Sequence, residues 1–287
     1  MEDAPAASLR WDGTPRIAAA LIRAVYAAVE GADRVTVLYS GGVDSSIVAH
    51  LARRSAPVTL LCVGTEGAAD LAAARAGARA LDLPLTESVV SADGIWAAAR
   101  AFPDELDGLF EPARSVALAT AVILRPAPDR RVLWGQGADE LFFGYARYRA
   151  LAPELVRRAA EADLLRLTSA DGPRAVRIAG RLGHELRSPF LDPEVLAAVG
   201  ADPPPLPRGT VSKPGLRRLA IALGVPAAIA TRPKRALQYG SGVHRVVRAR
   251  ARLLRPADPG PRLAPEGPAE GRDVGDDEPS ASGREEA

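Results

Sequence analysis

The chain has 287 residues, 47% apolar and 25% charged, which is typical of a globular protein large enough for a sizeable core. Its net charge of +2 does not favour a nucleic-acid partner, and no apolar segment is long enough to span a membrane. The single cysteine, Cys62, excludes a disulfide framework, and the polar start without a secretory h-region leads us to expect a cytoplasmic protein.

Strands and helices alternate in the first half of the chain. A first helix is predicted from Thr14, its cap, to Gly31, and Asp70 is predicted to cap a later one. The predicted strands are 34–40, 58–64, 85–90 and 131–137, and the helices between them are 45–54, 70–83, 94–102 and 113–124. Continuous apolar strands alternating with helices predict an α/β fold with an open, mainly parallel sheet and helices on both faces.

Beyond residue 140 the pattern predicts helices and no further strand. Residues 139–167 form a helical pattern with a break near Pro153. A second helix is predicted at 213–224 with Ser212 as its cap, and a last one at 242–254. The remaining residues, 255–287, are rich in proline, glycine and acid, and we predict a disordered tail there.

The stretch "LYSGGVDSS" (38–46) joins the first predicted strand to a helix. Gly41 and Gly42 allow a sharp turn, and the helix N-terminus, with the hydroxyls of Ser40 and Ser45, favours an anion such as a phosphate. Asp44 would repel that phosphate unless a cation lies between them, which indicates Mg²⁺. A Gly-Gly turn alone would favour the alternative, a plain strand-to-helix turn.

A second glycine-rich turn, in "VLWGQGADELFFGYARY" (132–148), follows another predicted strand. Asp139 follows this turn as Asp44 follows the first, so one metal ion could be bound by both carboxylates. The alternative is that Asp139 and Glu140 are acids at a helix start, where the helix dipole favours them.

The loop at 40–46 resembles the Ser-Gly-Gly-x-Asp-Ser pyrophosphate loop of the ATP pyrophosphatases. Together with the second turn, the strand end at "CVG" (62–64), "GHELRSPFLDPEVL" (183–196) and "RPKRALQYGSG" (232–242), it resembles the synthetase domain of asparagine synthetases and the related β-lactam synthetases. The resemblance implies an adenine-nucleotide α-hydrolase-like fold. It divides the chain into a synthetase-like domain at 1–254, with a nucleotide-binding part at 14–150 and a helical part at 151–254, and the tail at 255–287.

The resemblance also implies a chemistry, in which a substrate carboxylate attacks the α-phosphate of Mg-ATP and ammonia or an amine then displaces AMP. The residues implied around the pyrophosphate are Ser40, Gly41, Gly42, Asp44 and Ser45. Those implied near the rest of the nucleotide are Val63, Gly64, Gly135 and Gln136. Asp44 and Asp139 would bind Mg²⁺. Lys234, one of two lysines in the chain, matches the family lysine that stabilises charge on the phosphates; a solvated lysine at a helix end is the alternative.

Gln136 departs from the family pattern, because this position is Glu in asparagine synthetases and Tyr in β-lactam synthetases. An amide is no general base near neutral pH, although it can orient a substrate. Glu185 is the remaining carboxylate candidate for catalysis, and its alternative role is pairing with Arg187 or another local arginine. ATP activation is therefore expected, whereas asparagine as the product stays open.

The second departure from the family pattern concerns the glutaminase domain. Met1 is followed by Glu2, and the loop begins by residue 40, so no such domain is expected before it. The expected nitrogen source is free ammonia, an amine of the substrate, or glutamine processed by a separate glutaminase partner.

Two other functions remain open. A tRNA-modifying ATP pyrophosphatase would fit the loop, but the chain has no cysteine pair for sulfur relay and no basic or zinc-ribbon extension. A non-catalytic regulatory protein that binds an adenine nucleotide would explain Gln136, but it has less need for Asp44, Asp139 and Lys234.

Overall fold

The computed structural model describes residues 11, 13–110, 113–207, 212–232, 241–243 and 245–246. Lys234, most of the helix predicted at 242–254 and the tail predicted at 255–287 lie outside the described residues. The strands of the described part are β1 (Val35–Leu38), β2 (Val58–Gly64), β3 (Leu85–Val89), β4 (Arg131–Leu133) and β5 (Glu185–Arg187). Its α-helices are α1 (Thr14–Val29), α2 (Val43–Ala52), α3 (Ala69–Leu81), α4 (Ala92–Ala101), α5 (Pro103–Leu106), α6 (Ala113–Leu124), α7 (Ala138–Leu141), α8 (Pro153–Arg166), α9 (Gly172–Arg181), α10 (Pro193–Ala201), α11 (Pro214–Ala222) and α12 (Ala227–Ala230).

The strands form one parallel sheet in the order β3-β2-β1-β4-β5. Val35 in β1 is in register with Val58 of β2 on one side and with Arg131 of β4 on the other. The chain therefore adds β2 and then β3 on one side of β1, and afterwards adds β4 and then β5 on the other side. Ligands of open parallel sheets bind beyond the carboxyl ends of the strands at such a reversal, and here that point lies between β1 and β4.

Helices cover both faces of the sheet, as predicted. On one face, Val37, Leu60 and Leu133 belong to a buried cluster that also includes residues of α1, α2, α3, α10 and α11. On the other face, Leu61 and Val132 belong to a second cluster with residues of α4, α6 and α9. Adjacent strand residues point to opposite faces, so a strand covered on both sides favours apolar residues at successive positions. This explains the largely apolar sequences of β1 and β2, whereas the edge strand β3 is mostly exposed or half-buried and includes Thr86, Glu87 and Ser88.

The prediction that no strand follows residue 140 is wrong. β5 pairs in parallel with β4, and Leu186 in its middle is buried while Arg187 is exposed. A strand of three residues with a charge at each end has neither an apolar run nor a measurable alternation. It is a strand because its backbone pairs with that of β4, and the local sequence carries no sign of this pairing.

The predicted helix caps also differ from the structure. α1 is preceded by Gly13 rather than capped by Thr14, and α3 begins at Ala69, so that Asp70 lies buried in its first turn. Ser212 does not cap α11, because Lys213 is the residue that precedes the helix. The break at Pro153 is the start of α8, which continues through a π-helical turn, Leu167–Asp171, into α9. No helix of the described residues has both the length and the apolar character needed to cross a membrane.

Candidate active site

Two turns meet at the reversal point of the sheet. The first follows β1 and leads through Gly42 into α2, and the second follows β4 and leads through Gly137 into α7. A Cβ atom on Gly135 would lie 2.9 Å from the carbonyl carbon of Asp44 and from the amide nitrogen of Ser45. Glycine is therefore required at position 135, because the second turn rests directly on the backbone of the first.

Most of the residues singled out in the sequence line one cavity at these turns. The lining includes Ser40, Asp44, Ser45, Val63, Gly135, Gln136 and Asp139. Gly41 and Gly42 belong to the first turn, and Gly64 is the last residue of β2, next to Val63. The structure thus brings the two turns and the end of β2 together, as the resemblance implies.

Asp44 and Asp139 share one cation, the side-chain ammonium of Lys213. The Nζ atom lies 2.6 Å from Oδ2 of Asp44 and 2.8 Å from Oδ1 of Asp139. Lys213 is 0% exposed. Burial alone lowers the pKa of this lysine, but the carboxylates of Asp139 and Asp44 outweigh burial and raise the pKa, so the ammonium stays charged. The structure thus brings the two acids together, while their role as metal ligands stays a prediction.

Lys213 is the main site residue that the sequence analysis missed. The one sequence feature that distinguishes Lys213 is the rarity of lysine in this chain, since Lys213 and Lys234 are the two lysines among 37 basic residues. The resemblance drew attention to Lys234, and no local pattern connects Lys213 with acids 169 and 74 positions earlier in the chain.

The acid pair fits a magnesium ion. A cation already lies between the two carboxylates, and Oδ1 of Asp44 is buried and accepts no hydrogen bond from the described part of the chain. Mg²⁺ typically binds one or two protein carboxylates and completes its shell with water and substrate phosphates. The described residues contain no group of three or more His, Cys, Asp or Glu side chains placed to hold a metal, so a metal cage made wholly of protein ligands is not present among them.

Gln136 and Glu140 add polar groups to the cavity beside the acid pair. The Gln136 side-chain oxygen is buried and accepts no hydrogen bond from the described residues. Glu140 is buried, and its Oε1 accepts a hydrogen bond of 2.6 Å from the hydroxyl of Tyr145. Burial and the nearby charge of Asp139 raise the pKa of Glu140. From the sequence alone, Glu140 is predicted only as an acid at a helix start.

Glu185 requires a correction, because the structure does not bring it to the cavity. It is the first residue of β5 and is in register with Arg131, the first residue of β4, so it lies at the edge of the sheet opposite the two turns. Its carboxylate is 2.8 Å from Nη2 of Arg131 and 2.9 Å from Nη2 of Arg130. The hydrogen bond from Arg131 lowers the pKa of Glu185. The alternative role, pairing with local arginines, is the one observed.

The cavity lining combines apolar and charged side chains. Its apolar members include Leu38, Leu61, Val63, Val116 and Ile123. Its cationic members are Arg147 and Arg166, and Arg166 pairs with Asp171. Arg147 lies 4.4 Å from the ring centre of Tyr145 and pairs with Asp163, which orients it. Apolar side chains suit a planar base, and arginines suit an anion.

Comparison with known proteins gives a consistent result. The family model described as "Asparagine synthase" matches residues 16–157 and 152–264. A protein of Methanocaldococcus jannaschii, provisionally named a glutamine-hydrolysing asparagine synthetase, is 32% identical over 79% of this chain and 49% of its own length. The carboxyethyl-arginine β-lactam synthase of Streptomyces clavuligerus is 32% identical over 79% of this chain and 44% of its own length.

Among solved structures, NMN synthetase from Francisella tularensis is similar with a TM-score of 0.44 and 14% identity, covering 79% of this chain and 77% of that one. The chain spans about half the length of the two curated relatives, 49% and 44%.

Proposed function

The chain belongs to the asparagine synthase family, and from that premise we propose that it is a Mg-ATP-dependent, AMP-forming ligase that joins a carboxylate to ammonia or an amine. The observation that carries the proposal is the meeting of two carboxylates with a phosphate-type loop at the reversal point of the sheet. A plain strand-to-helix turn needs no second acid from another strand.

In the first step, an oxygen of the substrate carboxylate attacks the α-phosphorus of ATP. The bond from that phosphorus to the oxygen bridging to the β-phosphate breaks, and pyrophosphate leaves. The backbone N–H groups at the start of α2 and the hydroxyls of Ser40 and Ser45 donate to the pyrophosphate. Asp44 and Asp139 would hold Mg²⁺, which supplies positive charge against the phosphate oxygens when bound.

In the second step, the nitrogen of ammonia or an amine attacks the acyl carbon, the bond from that carbon to the AMP oxygen breaks, and the phosphate of the departing AMP takes up the proton that the nitrogen loses. Gln136 orients this nucleophile, because its buried side-chain oxygen is available to accept a hydrogen bond from N–H. The adenine would lie against the apolar side chains near Val63, and the anionic acceptor substrate would lie near Arg147 and Arg166, which also line the cavity. The nitrogen comes from ammonia, a substrate amine, or a separate glutaminase partner.

Product analysis tests the proposal. Purified protein, MgATP and ammonium are incubated with a panel of carboxylic and amino acids, with tRNA as a separate sole acceptor, and the nucleotide products are separated by chromatography. We expect AMP and pyrophosphate in equal amounts, dependent on a small carboxylate. Formation of ADP and phosphate, turnover with tRNA alone, or tight nucleotide binding without turnover on the whole panel would each contradict the proposal.

Lys234 keeps its proposed role in stabilising charge on the phosphates. Two residues earlier, the Arg232 guanidinium donates a hydrogen bond of 2.7 Å to the carbonyl of Gly41 in the loop, which supports this role. We expect Lys234→Arg to lower the rate of pyrophosphate release about tenfold, because a planar guanidinium replaces a compact ammonium at the same charge. A continuous pyrophosphate assay measures this, and an unchanged rate would assign Lys234 to the solvated surface.

Glu185→Gln is expected to leave the rate of pyrophosphate release unchanged. Its carboxylate contacts arginines at the far edge of the sheet, and the cavity does not include it. The same continuous assay measures the variant beside wild-type protein. A large loss of rate with an unchanged melting temperature would return Glu185 to the catalytic group.

A further inference from the structure

The placement of Lys213 is costly for the chain. Lys213 has a φ of 54°, the left-handed region that non-glycine residues rarely adopt, and it is directly followed by Pro214 at the start of α11. Its side chain is 1% exposed. A cation held in a strained backbone position and removed from water needs strong compensation, and the carboxylates of Asp44 and Asp139 supply it.

A glycine makes room for the lysine beside the acid pair. A Cβ atom on Gly144 would lie 2.1 Å from Cε of Lys213 and 1.9 Å from Oδ1 of Asp139. Any larger residue at 144 would push the ammonium and the carboxylate apart. The chain therefore provides space as well as charge for a lysine at this point.

The lysine does not saturate the acid pair. Oδ1 of Asp44 stays buried without a hydrogen bond from the described residues while Oδ2 contacts the ammonium. The arrangement therefore leaves an oxygen atom of Asp44 for a cation of higher charge.

We propose that Lys213 is an exchangeable counter-cation, which occupies the metal position between Asp44 and Asp139 and excludes a free divalent cation until a polyphosphate arrives with the metal. A free divalent cation has to displace the ammonium and leave it buried without an anionic partner, which is unfavourable. A metal that arrives with a polyphosphate brings phosphate oxygens as new partners for the ammonium. Metal binding and nucleotide binding are then coupled, and Lys213 is a positioning residue for the metal.

Mn²⁺ binding without nucleotide tests this proposal. Free Mn²⁺ is measured by electron paramagnetic resonance for wild-type protein and for Lys213→Met, which keeps an unbranched side chain as far as the ε position and removes the ammonium. We expect wild-type protein to show no Mn²⁺ site that is absent from the Asp44→Asn variant. We expect Lys213→Met to bind one Mn²⁺ about tenfold more tightly or better, because an ammonium no longer occupies the position between the two carboxylates.

Thermal unfolding gives a second measurement. Lys213→Met is expected to melt below wild type without metal, because its two partly buried carboxylates repel each other, and to regain melting temperature when Mn²⁺ is added. Lys213→Arg keeps the charge and is expected to show no gain with Mn²⁺. The double variant Asp44→Asn/Lys213→Met is expected to lose the new site. If Lys213→Met does not fold, Lys213→Gln replaces it.

Two results would overturn the proposal. One is a wild-type Mn²⁺ site without nucleotide that disappears in Asp44→Asn, a result that needs no Lys213 variant. The other is a folded Lys213→Met or Lys213→Gln protein that gains no site. The proposal builds on the proposed function through the metal that accompanies the nucleotide, but neither measurement requires turnover. If wild-type protein has no ligase activity but Lys213→Met still gains the Mn²⁺ site, the proposed function is contradicted and the proposed role of Lys213 is not.

Discussion

Asp44→Asn is expected to lower the rate of substrate-dependent pyrophosphate release about 10²–10³-fold, the loss typical when one group that stabilises transition-state charge is removed. The amide keeps the shape of the carboxylate and removes its negative charge, so a metal ion loses one of its two acid ligands. Lys213 stays paired with Asp139 at 2.8 Å, which preserves the fold around the site. A steady-state pyrophosphate assay at saturating MgATP, together with a melting curve, separates loss of rate from loss of structure.

Asp93→Asn is the matched control for this variant. Asp93 also lies in the first turn of a helix, α4, but it is exposed and does not line the cavity. We expect its rate to equal that of wild type. Equal rates for Asp44→Asn and Asp93→Asn would mean that Asp44 is a helix-start acid without a role in the reaction, and the proposed mechanism would then fail.

Gly135→Ala is expected to reduce the rate about 100-fold, because a displacement of about 1 Å at a reacting group has an effect of this size. The added methyl group would lie 2.9 Å from the backbone of Asp44 and Ser45, which has no flexible end that could move aside. The two turns must therefore separate, which moves Asp44 relative to Asp139. We also expect a loss of about 1–3 kcal/mol in the free energy of unfolding, measured by urea denaturation.

Gly180→Ala serves as the control for the glycine variant. A Cβ atom at Gly180, near the end of α9, would contact nothing within 4 Å. We expect full activity and a stability equal to or slightly above that of wild type, since alanine is favoured over glycine within a helix. If Gly135→Ala behaved in the same way, the close contact between the two turns would be irrelevant to activity.

The parts of the fold that the sequence predicts are those in which local pattern and burial agree. β1, β2 and β4 are largely apolar and bounded by turn residues, whereas β3 is more polar. All four are present, although the predictions for β1 and β4 ran past Leu38 and Leu133 into the turns. Residues 39–40 and 134–137 belong to the turns that line the cavity, and the first residue of each, Tyr39 and Trp134, extends the apolar pattern without extending the strand. β5 was missed because its structure depends on a neighbouring strand.

The candidate site could likewise be predicted from the sequence only in part. Glycines and acids after strands predict which ends of the sheet carry function, because the carboxyl ends of parallel strands lie at one edge. Lys213 and Glu185 could not be assigned in this way, since neither follows a predicted strand of the sheet. The position of each depends on a contact between distant segments: Lys213 with the acids of two turns, and Glu185 with the start of β4.

The ion pair between Lys213 and Asp44 joins residues 169 positions apart in the chain. During synthesis, the loop after β1 leaves the ribosome long before α11 exists, so the acids remain without their ammonium partner over that interval. Contacts between segments so far apart form late and slowly in folding, because a long chain must first close on itself. A nascent chain that ends before residue 213 would therefore carry both glycine-rich turns and still lack a completed site.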